Sequence, residues 1–105
     1  MSALEQREQA FESRDARERD ARFMALARRN MSLGLWVAEL SGLSGAEARD
    51  YARSLMQSRV GSDDDEDIVQ AISLELSRAK VEISNHRIRR KITETMAAAV
   101  KDAAN

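Results

Sequence analysis

His86 is the single imidazole in the chain, and no cysteine accompanies it. Catalysis needs several groups converging on one point, not one titratable side chain. A histidine metal site needs companions at compatible geometry, and the nearest acids in sequence, Glu82 and Glu94, do not stand at ligand spacing. His86 is therefore expected in the first turn of the last helix, partly exposed. The acidic run Asp63-Asp64-Asp65-Glu66-Asp67 invites comparison with a calcium loop. Such a loop needs alternating oxygen ligands, a central glycine and a glutamate at the twelfth position. Gly61 precedes the run and the twelfth position from Asp63 is Leu74, so the comparison fails. The run reads instead as a solvated helix start, where carboxylates oppose the helix dipole and cap free amides.

Basic side chains gather at Arg28-Arg29 and at Arg87, Arg89, Arg90 and Lys91. Either cluster could hold a phosphate or face an acidic partner. With acids interleaved, both read as solvated faces. Without interleaved aromatics they do not make a nucleic-acid platform, and no glycine-rich phosphate loop occurs. No catalytic residue, metal ligand or cofactor is assigned from these residues.

The elements that must carry these side chains are helical. The 105 residues include no proline and four glycines, and aromatics make up 4%. The core must therefore be built mainly from leucine, isoleucine, methionine and alanine. Net charge is −1, from 17 basic and 18 acidic residues, without the positive excess of a dedicated nucleic-acid binder. No apolar run approaches the roughly 20 residues of a membrane helix, and the N-terminus lacks a hydrophobic signal segment. The cytoplasm is the expected location, with no direct membrane insertion.

Residues 3–40 read as one long helix, or two in series. Through Arg22 its only large apolar residues are Leu4 and Phe11, seven apart and so on one face. Ordering such a segment costs about 1–2 kcal/mol per residue of backbone entropy. Residues 1–22 are expected to be a flexible arm, frayed when free and helical when docked. From Phe23 the spacing of Phe23, Leu26, Ala27, Leu33, Val37 and Leu40 marks an apolar band, widened by Met24, Met31, Leu35 and Trp36. Gly34 inside it implies a close helix approach or a kink, and Ser41-Gly42 a stop. Ser44 and Glu47 carry a capping-box pattern for a second helix, striped by Ala48, Tyr51, Ala52, Leu55 and Met56 and ending near Ser58. Ile68, Val69, Ile72, Leu76 and Ala79 mark a third. Val81 and Ile83 fall in a connector, Ser84 caps a fourth helix, and Ile88, Ile92, Thr95, Met96 and Ala99 line its inner face. The expected fold is all-α: a four-helix protein with a long, partly disordered N-terminal helical arm (1–22) and a compact helical body (23–105).

A set of local patterns also carries a family likeness. They are Arg7-Glu8 with Ala10-Phe11-Glu12, Ala27-Arg28-Arg29-Asn30, Gly34-Leu35-Trp36 with Ala38, and Gly42-Leu43-Ser44-Gly45 with Glu47-Ala48 and Tyr51-Ala52. Asp65-Glu66-Asp67, Ser84, His86 and Ile88-Arg89-Arg90-Lys91 complete them. In these the chain resembles, nearly end to end, the zeta-type ATPase inhibitor subunits of alphaproteobacterial F-type ATP synthases. It differs from the usual pattern in Arg14, Arg17, Arg19 and Arg22, and in Met31 after Asn30. The resemblance implies a non-catalytic four-helix inhibitor that binds the soluble catalytic sector, at the interface of alpha and beta subunits near the central rotor. It places Arg7, Glu8, Phe11 and Glu12 in the inhibitory, partner-binding segment, and helical spacing adds Leu4. The runner-up is a generic helical adaptor, whose dimer would form through Trp36, Met24, Met31 and Met96. A nucleic-acid binder comes third and an enzyme last.

Overall fold

The computed structural model describes residues 3–57 and 64–104, with side chains throughout except at 4, 5, 7–12, 103 and 104. It holds four helices, α1 (Ala3–Leu40), α2 (Gly45–Gln57), α3 (Asp65–Arg78) and α4 (Asn85–Ala104). The 38 residues of α1 make a rod of about 57 Å at 1.5 Å per residue. That rod sets the long dimension of the molecule, 63 × 28 × 22 Å. The radius of gyration, 17.5 Å, exceeds the roughly 13 Å of a compact chain this long. The chain is a body with a projecting helix. The break expected at Gly61, and Ser58, Ser62 and Asp63 beside it, lie outside the described residues.

The C-terminal half of α1 is the post against which the other helices pack, α4 and α2 most extensively. Its buried side is Ala25, Arg29, Asn30, Leu33, Gly34, Val37 and Ala38, an i, i+4 stripe with its neighbours. Leu33 and Val37 meet Leu55 of α2, Ile68, Val69, Ile72 and Leu76 of α3, and Ile88 and Ile92 of α4 in one core. Val81 and Ile83 of the connector pack onto it. Gly34 serves close approach: a Cβ there would stand 2.9 Å from Ala52 Cβ and 3.0 Å from Ala52 Cα. Two expectations are corrected. Phe23 is 73% exposed and Met24 51%, because both point away from the stripe that begins at Ala25.

Helix ends follow local chemistry. After α1 the Leu43 amide donates to the Ala38 carbonyl at 2.9 Å, and the Gly42 amide to Glu39 at 3.0 Å. Gly42 has φ +90°, so this is a Schellman stop that needs a left-handed residue. The same motif closes α3, where Val81 donates to Leu76 at 2.8 Å and Lys80 to Ser77 at 3.0 Å. The left-handed residue there is Lys80, at φ 60°. Asp64 caps α3 by accepting from the Glu66 amide at 2.9 Å. Ser84 caps α4 by accepting from the Arg87 amide at 3.1 Å. The capping box expected at Ser44 and Glu47 does not form. Gly45, where α2 begins, takes φ +58°, a left-handed conformation instead of the right-handed one that follows an N-cap, and the Ser44 carbonyl receives only a long bond from Ala48, 3.4 Å.

Candidate functional site

Leu4, Arg7, Glu8, Phe11 and Glu12 belong by backbone to α1, and their side chains lie outside the described residues. From Ser13 to Met24 every side chain is exposed. Contacts within this segment span one turn: Arg19 Nη2 sits 3.9 Å from Asp15 Oδ2, and Arg17 Nε donates to the Ser13 carbonyl at 3.4 Å. Such exposed one-turn contacts stabilise a helix by only a few tenths of a kcal/mol. The segment offers a charged helical surface along its whole circumference, interrupted by Phe23 and Met24.

Where α1 enters the body, the helix is held by a buried cation. Arg29, expected on a solvated basic face with Arg28, is only 3% exposed; Arg28 remains exposed. Arg29 Nε and Nη2 both donate to Asn30 Oδ1, at 3.1 and 2.9 Å, and Nη1 reaches Asp65 Oδ1 at 3.4 Å. A buried guanidinium demands such partners, since an unpaired one is costly. The signal was present in the spacing. Arg29 stands four residues from both Ala25 and Leu33, on the core stripe, and adjacency to Arg28 disguised it. The neighbouring acid, Glu66, forms a two-point pair with Arg89 at 2.9 and 3.1 Å. That hydrogen bonding holds the Glu66 carboxyl below its ordinary range. Arginines from α1 and α4 thus grip the acidic start of α3.

On the other side of α4, Arg87, Arg90, Lys91 and Glu94 share one face and line a groove with Trp36 of α1, about 470 Å³ in volume. Lys91 Nζ lies 5.7 Å from the centre of the Trp36 ring, within cation–π range, and Arg90 Nη2 is 3.8 Å from Glu94 Oε1. Three cations and one carboxylate around an indole favour an anionic group. The basic cluster of α4 is therefore divided, with Arg89 committed to α3 and the others facing the groove. His86 is exposed in the first turn of α4, as expected. No group of three or more metal-ligating side chains occurs among the described residues, nor does a helix there reach the length and apolarity needed to cross a membrane.

Between α2 and α3, Tyr51 donates to Glu75 Oε2 at 2.7 Å. Burial, with that bond and the Glu75 charge, pushes the phenol up to about 12. This is a packing contact with no converging reactive group beside it. The family model for ATPase inhibitor subunit zeta matches residues 1–102 of the chain. No curated protein matches it.

Proposed function

We propose, for a chain that belongs to the ATPase inhibitor subunit zeta family, that its N-terminal segment is the element that inhibits. The family makes it a non-catalytic inhibitor subunit. Residues 1–22 act as the arm: they enter the catalytic sector of an F-type ATP synthase between alpha and beta subunits near the rotor and block ATP hydrolysis mechanically. The body, 23–105, is a preformed handle. The observation that carries this reading is the exposure of every described side chain from Ser13 to Met24, on a helix whose later turns are buried in the core. A helix so poor in internal contacts gains its full order from a partner surface.

Leu4 and Phe11 are the apolar anchors of the docked arm, with Arg7, Glu8 and Glu12 setting register by charge. Burying one phenylalanine is worth about 1.5–3 kcal/mol. That offsets the ordering of only a few residues, so the charged contacts contribute selectivity and the body contributes attachment. A wedge needs no reactive group. The complex stands at the membrane only through the synthase.

The test is ATP hydrolysis by the cognate catalytic sector with three proteins: the full chain, Phe11→Ala, and a chain starting at Phe23. Inhibition by the full chain, weakened in Phe11→Ala and lost on truncation while binding persists, is the expected result. Equal inhibition by the truncated chain would move the inhibitory element into the body.

A further inference from the structure

Phe23 and Met24 are the most exposed large apolar side chains on α1 among the described residues, at a place where the helix is already fixed by Ala25 and Arg29 one turn later. The chain has two phenylalanines, and its core is assembled without Phe23. We infer that the Phe23–Met24 step is a second anchor for the ATPase, seated in an apolar pocket of the catalytic sector rimmed by carboxylates. This rests on the arm reading above, and adds a docking point where the arm leaves the body.

The charge around the step identifies the occupant. Arg19 lies four residues before Phe23 and Arg28 four after Met24, so both flank the apolar pair on its own face. Asp20, four before Met24, is the one acid among them. From Ser13 to Arg28 five arginines face three carboxylates. An apolar step with a cationic surround suits an apolar pocket with an anionic rim. A second copy of this chain is the poorer fit. It would bring the same cations against themselves, and a stable dimer buries roughly 800 Å² per partner, more than two partly exposed side chains supply. As one anchor within a larger interface begun by the arm, the pair has the right size. Its distance from the tip gives it a separate role. The tip reaches the interface only when the arm is ordered, whereas Phe23 is presented by the folded body beforehand.

The experiment measures the dissociation constant and inhibition of the full chain, the Phe23→Ala/Met24→Ala double variant, and Phe11→Ala against the cognate catalytic sector, with thermal unfolding of each. Alanine preserves the helix, and both side chains are exposed, so the double variant should melt with the wild type. Its dissociation constant should rise about 10-fold to 100-fold, equivalent to one fully buried apolar side chain. Arg28→Glu should weaken binding and flatten its salt dependence. Wild-type binding of the double variant, beside a parent that inhibits, would overturn this inference and leave the arm reading standing. A parent that sediments as a dimer, dissociated by the double substitution, would overturn it in favour of a second copy. A parent that neither binds nor inhibits would remove the arm reading and this inference together.

Discussion

Replacing Gly34 with alanine is the sharpest single test of how α1 and α2 are joined. The new methyl carbon would stand 2.9 Å from Ala52 Cβ, 3.0 Å from Ala52 Cα and 3.1 Å from its carbonyl oxygen. Carbon atoms rest at about 3.5–4.0 Å, so the helices must part by about 0.6 Å or more at this point. None of the three atoms is the end of a flexible side chain, so no rotamer change relieves the clash. Two effects oppose. Alanine is about 1 kcal/mol better than glycine inside a helix. Overpacking of a tight contact costs about 1–3 kcal/mol, and parting the helices also loosens Leu33, Val37 and Leu55, which share the core. The net expectation is a loss of about 1 kcal/mol, up to about 2 when the core gap is included. For a domain of this size that lowers the melting temperature by about 4–8 °C per kcal/mol. Urea and thermal unfolding followed by circular dichroism would measure it. Ala52→Gly removes the 2.9 Å contact and leaves the 3.0 and 3.1 Å ones, but costs about 1 kcal/mol of helix propensity itself, so the double variant should be less destabilised than the sum of the two single changes. A Gly34→Ala protein more stable than its parent by about 1 kcal/mol, as helix propensity alone dictates, would refute the close-packing argument.

Lys80→Gly should stabilise the chain by about 0.5–1 kcal/mol, because Lys80 is exposed at φ 60° and a side chain in that conformation is strained; a rise in urea midpoint at unchanged slope is the readout. Ser84→Ala should cost about 1 kcal/mol through the lost α4 cap, with Ser84→Asp retaining most of the stability. Tyr51 titrates at about 12 in the folded chain against an ordinary 10.0. A folded-state pKa above the unfolded one means that its contribution is full below pH 10 and is lost as pH rises through 12. Phenolate absorbance should therefore show its midpoint near 12 while folded, and Tyr51→Phe should remove that part of the alkaline loss. Amide exchange between residues 13 and 22 should be much faster than in the second half of α1, and equal protection would contradict the arm's dependence on a partner.

The four helices were legible because their apolar spacing is regular and their ends carry strong local signals. Asp64, Ser84 and Gly42 each act as their types suggest. Ile68, Ile72 and Leu76, or Ile88 and Ile92, leave no choice about which face is buried. The failures come from reading neighbours in sequence as neighbours in space. Arg28 and Arg29 are adjacent in sequence, but helical geometry sets them 100° apart and sends one inward and one outward. Phe23 is large and apolar, yet its place on the helix wheel falls off the Ala25–Arg29–Leu33–Val37 stripe. Ser44 had the right composition for a cap, and a left-handed Gly45 overrode it, a backbone choice that composition does not reveal. The proposal that residues 1–22 form an arm rests on resemblance and on their poverty in apolar residues. The groove at Trp36 was invisible, since its two sides are more than 50 residues apart in the chain.

The absence of any break between the exposed and buried halves of α1 alters the energetics of arm ordering. A detached peptide of the same sequence must first close a helical turn, an event with a statistical weight of about 10⁻³, equivalent to roughly 4 kcal/mol. Here the first turn already exists, in Ala25 to Leu40, and each residue toward the N-terminus adds by propagation alone. On the proposed arm reading, order zips outward from the body, and the tip is the last part to form. An isolated arm peptide would bear the whole nucleation cost, so it should be a weaker inhibitor than the intact chain even where it makes every contact.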